Sequence, residues 1–308
     1  MKRTAFLFPG QGSQAPGMGR DFAASFSIAK ETFEEANDAL GRDLSKVIFE
    51  GSAEELTQTK NSQPAIFVVS AAILRVLNQQ IPDVQPAICS GLSLGEYTAL
   101  WASGRIGFKE ALLLVQKRAD LMNEACEKTR GTMAAVLGLS GEEVENAVKG
   151  IEGVWVANYN CPGQVVISGT LQGVELASQA LKSRGAKRVI LLPVHGAFHS
   201  GLMKSAEEGL APVIAKVPLM DSKIGFVMNV PGQFVENPSD IRTFLTEQVT
   251  HSVRWEQGMK AMDQRGVDEY LEIGFGKTLV GLGKKMGLSA PLGALEKIED
   301  LETLACSC

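Results

Sequence analysis

The 308-residue sequence predicts an α/β fold: a larger α/β domain with a smaller α+β subdomain inserted into it. Two observations predict this. Short apolar runs suited to buried strands alternate with longer segments of helical period over most of the chain. Between about 130 and 195 the texture changes to strand, helix, strand, strand, helix, strand, the order of the ferredoxin-like split βαβ unit. The expected division is therefore residues 1–129 and 196–308 as the core and 130–195 as the insertion.

The first strand spans 4–8, followed by a glycine-rich loop from Pro9 to Gly19. Phe22, Phe26, Ala29, Phe33, Ala36 and Leu40 then recur at steps of four and three, one face of an amphipathic helix. Pro64 is expected to open the next helix, where its missing N–H costs nothing. That helix is apolar on most sides, which predicts burial. Ala87-Ile88-Cys89 reads as a strand, Leu94 to Ala102 as a helix ending near Gly104, and Phe108 to Lys128 as another helix. In the insertion, strands are expected at 132–139, 154–158, 165–168 and 187–194, with helices at 140–148 and 171–183. Ile224–Asn229 and Glu269–Ile273 supply later core strands, among helices near 200–216, 239–248, 254–265 and 277–286.

Composition removes several classes of function. The hydrophobic fraction of 45% with 21% charged residues is that of a globular protein. A net charge of −5 argues against nonspecific nucleic-acid binding. The five cysteines have no zinc spacing, and their odd number fits a reduced, cytoplasmic compartment. The apolar run after Met1-Lys2-Arg3 is cut by Pro9-Gly10, so it reads as a strand and not a signal peptide. The longest apolar stretch, Ala65 to Leu77, is too short to cross a bilayer. No metal-ligand spacing is present.

Chemistry concentrates at Gly91-Leu92-Ser93-Leu94-Gly95. It fits Gly-x-Ser-x-Gly, the nucleophile elbow, in which a serine sits on a sharp turn between strand and helix. The glycines let strand and helix close around the turn and leave the hydroxyl exposed. A serine nucleophile needs a base, and the three histidines are His195, His199 and His251. His195 and His199 share one loop at the boundary between subdomain and core, so one of these two is the expected base. The oxyanion needs N–H donors. Leu94, the residue after the nucleophile, is one; the loop Pro9-Gly10-Gln11-Gly12-Ser13 is the candidate for the other. The same loop also offers a dinucleotide-binding reading, which Pro9 and the late helix start at about residue 20 weaken. Arg118 lies on the apolar side of its helix with Leu114, Leu121 and Met122. It is either a structural arginine, snorkelling or ion-paired, or the ligand of a carboxylate. Gly274-Phe275-Gly276-Lys277-Thr278 is not a P-loop, because Leu271 stands where glycine is required.

Taken in order, the motifs resemble the malonyl-CoA:acyl carrier protein transacylases of dissociated fatty acid synthesis. Those motifs are Phe8 to Gln14, Ser62-Gln63-Pro64-Ala65, Gly91 to Leu100, Gln116-Lys117-Arg118, Asn158-Tyr159-Asn160, Gly196 to Ser200, Gln248 to Trp255 and Glu272-Ile273-Gly274. The resemblance runs nearly end to end. It implies an α/β-hydrolase-like core with a parallel sheet and a ferredoxin-like insertion. It implies Ser93 as the nucleophile and His199, not His195, as the base. It implies Gln11 and Leu94 as the oxyanion donors and Arg118 as the malonyl carboxylate ligand. It further implies main-chain carbonyls orienting the imidazole, at Gln248 and Asn160. Malonyl-CoA and phosphopantetheinylated acyl carrier protein would be the substrates, with no bound cofactor, no metal, no nucleic acid and no membrane. Lys284-Lys285 and Lys187-Arg188 are the candidate basic surfaces for an acidic carrier. Three positions depart from the family pattern: Leu92 for a usual histidine, His195 for a common serine and His251 for a usual asparagine.

Overall fold

The computed structural model describes residues 2–194 and 196–305. His195, Cys306 and Cys308 lie outside the described residues. Among the described residues ten strands form two sheets: β1 (Thr4–Phe8), β2 (Pro86–Gly91), β3 (Gly131–Leu137), β4 (Val154–Cys161), β5 (Gln164–Thr170), β6 (Arg188–Leu191), β7 (Gly225–Met228), β8 (Gln233–Phe234), β9 (Glu269–Ile273) and β10 (Leu292–Leu295).

The larger sheet has the order β10-β9-β1-β2-β7-β8. Every pairing in it is parallel except the short β7–β8 hairpin. A parallel sheet is covered on both faces, so its central strands must be apolar on both. β1 shows this directly. Phe6 and Phe8 enter one cluster with Cys89, Phe226 and Leu271, while Ala5 and Leu7 enter the opposite one with Ile88, Val227 and Tyr270. The first face is covered by helices Thr59–Gln80, Gly95–Ala102 and Phe108–Lys128; the second packs on Trp255, Met259, Met262, Leu279 and Leu282.

The smaller sheet is antiparallel, order β4-β5-β3-β6, with helices Gly141–Val148 and Leu171–Ser183 in the βαββαβ order expected. Local chemistry writes its boundaries. Ser140 and Glu143 form a reciprocal capping box, and the Thr170 hydroxyl accepts the Gly173 N–H. β4 docks on the larger unit through Val253, whose carbonyl accepts the Tyr159 N–H at 2.9 Å and whose N–H donates to the Ala157 carbonyl at 2.8 Å.

Two expectations fail. The helix predicted through Phe22 and Leu40 is two helices, Arg20–Ser25 and Ser27–Leu40, broken at an extended Phe26 (φ −129°, ψ 122°). Ser25 and Ser27 flank the break, and serine supports a helix interior weakly. Pro64 does not open its helix, which begins at Thr59 and runs through it. The proline leaves the Lys60 carbonyl without its helical donor. Arg42 Nη2 at 3.0 Å and Gln116 Nε2 at 3.3 Å donate to that carbonyl instead. Side chains far apart in sequence therefore repair the helix, which no local reading of Pro64 anticipates.

Candidate active site

In a parallel sheet all carboxyl ends share one edge, and ligands bind outside that edge. The loops after β1, β2 and β7 meet there. β2 ends at Gly91, and Ser93 turns the chain into helix Gly95–Ala102 with φ 54°. A Cβ on Gly91 would lie 2.0 Å from the Gly95 carbonyl carbon, and one on Gly95 would lie 2.0 Å from the Phe8 carbonyl oxygen. The two glycines are thus required by contact, as the elbow pattern predicts. Leu92 N–H donates to the Phe8 carbonyl at 3.1 Å, tying the elbow to β1. The half-buried Leu92 side chain packs against the second core cluster, as do Ala87 and Phe234.

Ser93 Oγ lies 2.8 Å from His199 Nε2. His199 Nδ1 lies 2.7 Å from the Gln248 carbonyl oxygen, which can only accept. The proton therefore sits on Nδ1 and the Nε2 lone pair faces the serine hydroxyl. The imidazole is buried, and burial together with the Arg118 charge pushes its pKa down to about 4. It is neutral at pH 7, the form that can take a proton. Among the described residues, Ser93 and His199 (φ 57°) are the only two non-glycine residues with positive φ. Each such residue costs about 1–3 kcal/mol, and strain of this kind gathers at functional sites.

Arg118 is fully buried, which rules out a snorkelling stem. Its Nη1 donates to Gln63 Oε1 at 2.7 Å, and its Nη2 to Gln248 Oε1 at 2.9 Å and Ser93 Oγ at 3.2 Å. The guanidinium carbon lies 5.2 Å from the Tyr97 ring centroid. No carboxylate among the described residues forms an ion pair with it. Neutral dipoles thus hold a buried cation beside the serine, a setting that favours an anionic ligand.

The Leu94 N–H and the Gln11 N–H have no acceptor among the described residues. The β1 loop is pressed on the elbow: a Cβ on Gly10 would lie 2.3 Å from the Leu92 carbonyl oxygen. No regular helix begins until Arg20, so the loop lacks the helix N-terminus that a dinucleotide turn needs. No hydrogen bond joins Asn160 to His199, and the Asn160 Oδ1, on β4, is buried without a partner among the described residues. The register of β4 shifts between Tyr159 and Cys161, an irregularity that spacing alone does not reveal. His251 instead faces Thr250 and the Glu247 carbonyl.

Three site residues were missed by reasoning from residue types alone. Asn229, at the end of β7, accepts the Ser93 N–H on Oδ1 at 2.7 Å and donates Nδ2 to the Gly91 carbonyl at 2.8 Å. Glu96 accepts the Asn229 N–H and the Gln248 side-chain amide. Gln63 holds Arg118. Gln63 and Glu96 stand inside motifs already noted, which was the available signal; Asn229 had none beyond its place at a strand end.

A cavity of about 1160 Å³ includes His199 in its wall, between Trp155 and Tyr159 of the smaller sheet and Lys204, Thr250 and Ser252 of the larger unit. Its other lysine is Lys149; neither Lys284-Lys285 nor Lys187-Arg188 lines it. Among the described residues no three His, Cys, Asp or Glu side chains are grouped to hold a metal, and no helix is long and apolar enough to cross a membrane.

The acyl transferase domain family matches residues 5–294. The malonyl CoA-acyl carrier protein transacylase of Bacillus subtilis is 44% identical over 306 residues, covering 98% of this chain and 96% of the relative. That of Escherichia coli K12 is 43% identical over 289 residues, 93% of each chain. A malonyl-transacylase solved in complex with a type II polyketide synthase acyl carrier protein superposes with TM-score 0.95 at 38% identity, over 99% of this chain and 100% of that one. The Streptococcus pneumoniae transacylase superposes with TM-score 0.94 at 40% identity, over 99% and 100%. The chain belongs to the acyl transferase domain family and, within it, to the malonyl CoA-acyl carrier protein transacylases: it is an acyltransferase.

Proposed function

We propose that this enzyme moves the malonyl group from malonyl-CoA to the phosphopantetheine thiol of acyl carrier protein, supplying malonyl units for fatty acid elongation in the cytoplasm. The observation that carries the proposal is Arg118, a fully buried guanidinium without an ion-pair partner among the described residues, 3.2 Å from the Ser93 hydroxyl. A generic esterase has no use for such a cation; an acyl group ending in a carboxylate does.

The reaction is ping-pong. Ser93 Oγ attacks the thioester carbonyl as its proton passes to His199 Nε2. The Gln11 and Leu94 N–H groups receive the oxyanion. The carbon–sulfur bond breaks, His199 returns the proton to the departing thiolate, and a malonyl ester remains on Ser93. The carrier thiol then gives its proton to His199 and attacks the ester, reversing the sequence. Gln248 orients the imidazole throughout. A carbonyl stabilises the imidazolium less than a carboxylate would, which suits a reaction that exchanges one thioester for another. The wide cleft at His199 gives room for a long thiol arm. In this reading, residues 1–129 and 196–308 form an α/β-hydrolase-like core, and 130–195 an inserted subdomain that walls the cleft.

Initial velocities with malonyl-CoA and holo acyl carrier protein test this. Parallel double-reciprocal lines and little free malonate are expected. Intersecting lines, or release of malonate faster than transfer, would reject it in favour of a ternary complex or a thioesterase.

A further inference from the structure

His199 has no carboxylate on Nδ1, yet a carboxyl group stands one residue behind it. Glu96 is fully buried in the first turn of the elbow helix. Its Oε1 accepts the Asn229 N–H at 2.6 Å, and its Oε2 accepts Gln248 Nε2. Those two partners touch Ser93, His199 and Arg118. The Gln248 carbonyl holds His199 Nδ1, its Oε1 receives Arg118, and its Nε2 also donates to the Ser93 carbonyl at 2.9 Å. Asn229 braces the Ser93 N–H and the Gly91 carbonyl.

We infer that Glu96 is the positioning carboxyl of this active site, setting His199 and Arg118 through Gln248 and the strained Ser93 through Asn229. The acyl-transfer reading enters this inference only through the choice of substrate.

The Gln248 amide has one permitted orientation. Arg118 can only donate, so it requires Oε1; the Ser93 carbonyl can only accept, so it requires Nε2, which also faces Glu96. Glu96 supplies the buried acceptor that makes the reverse orientation costly. Without it, the amide loses a partner and the buried Asn229 N–H is left unpaired. A second buried carboxyl shows what a purely structural one does here. Glu272, at the end region of β9, accepts the Leu279 and Val280 N–H groups of helix Thr278–Gly283 on its two oxygens and forms no hydrogen bond with a described residue of the site.

The test measures Ser93 reactivity with two reagents: a small alkyl fluorophosphonate, which needs only the activated serine, and malonyl-CoA. Glu96→Gln is expected to slow both by roughly 30-fold or more, with the KM for malonyl-CoA changed by less than about threefold. Glu96→Asp is expected to recover part of the loss. Glu272→Gln is expected to lower the melting temperature and leave fluorophosphonate labelling unchanged. A folded Glu96→Gln enzyme with wild-type rates overturns the inference, as does a loss confined to malonyl-CoA. If Glu96→Gln does not fold, Glu96→Asp is read in its place, and wild-type rates there overturn it equally. A wild-type enzyme that takes fluorophosphonate but not malonyl would reject the acyl-transfer reading while leaving Glu96 measurable by the first reagent.

Discussion

The antiparallel sheet β3–β6 and the parallel sheet β1–β2–β7–β9 are built from the same kinds of residue and meet at one cleft. In the antiparallel unit the backbone obeys local rules: helices start at Ser140 and Thr170 caps, and its positive φ values among the described residues fall on glycines. In the parallel unit both left-handed non-glycine residues, Ser93 and His199, stand near the carboxyl edge, beside buried Arg118, Glu96, Gln63, Gln248 and Asn229. Strain and buried polarity are gathered at one edge of one sheet and held there by contacts distant in sequence. The antiparallel unit supplies a wall.

Substitutions sharpen that contrast. The largest effect is expected at His199→Ala, where acylation of Ser93 by malonyl-CoA should fall by roughly 10³-fold or more in single-turnover measurements with little change in stability. An effect below tenfold would remove His199 from the chemistry.

Next is Arg118→Ala. Malonyl transfer should lose about 2–4 kcal/mol of transition-state stabilisation, while acetyl transfer loses far less. Equal losses for both acyl groups would make Arg118 structural.

The pH dependence follows from the lowered pKa of His199. A base must be neutral to accept the serine proton, and the folded-state value near 4 lies below the usual 6.5. The base form therefore persists between those values and is lost only below about 4. The acid limb of fluorophosphonate labelling should sit near 4, and Arg118→Ala should move it upward, because Arg118 helps to depress it. Linkage has the same sign: the unfolded chain binds the proton first, so this group's contribution to stability declines as pH falls from 6.5 to 4. Burial shifts Glu96 in the opposite direction, to about 8. Any limb found there should disappear in Glu96→Gln.

The smallest effect is expected outside the parallel unit. Ser140→Ala removes one cap and should lower the folding free energy by about 1 kcal/mol, read by denaturant titration, with acylation unchanged. Loss of activity there would mean that the antiparallel unit does more than wall the cleft.

What was legible in the chain divides along the same line. Ser93 could be read because an elbow needs glycines at fixed spacing; the scarcity of histidines narrowed the base only to His195 or His199, and the family resemblance chose between them. β1, β7, β9 and the whole βαββαβ unit followed from apolar pattern and turn chemistry. Glu96 and Asn229 were not legible as site residues, since their bond spans 133 positions and nothing local marks it. The repair of Pro64 by Arg42 and Gln116 is a tertiary fact of the same kind. β8, two residues long, was too short to produce a pattern, and three of the four residues of β10 are only half-buried, so no core face marks it.

The central claim is that Ser93 carries the malonyl group. Intact-protein mass spectrometry after brief mixing with malonyl-CoA tests it most directly. One malonyl increment is expected on the wild-type chain, mapping to Ser93 after digestion and removable by a carrier thiol, with none on Ser93→Ala. An increment that persists in Ser93→Ala, or maps to another residue, would contradict the account.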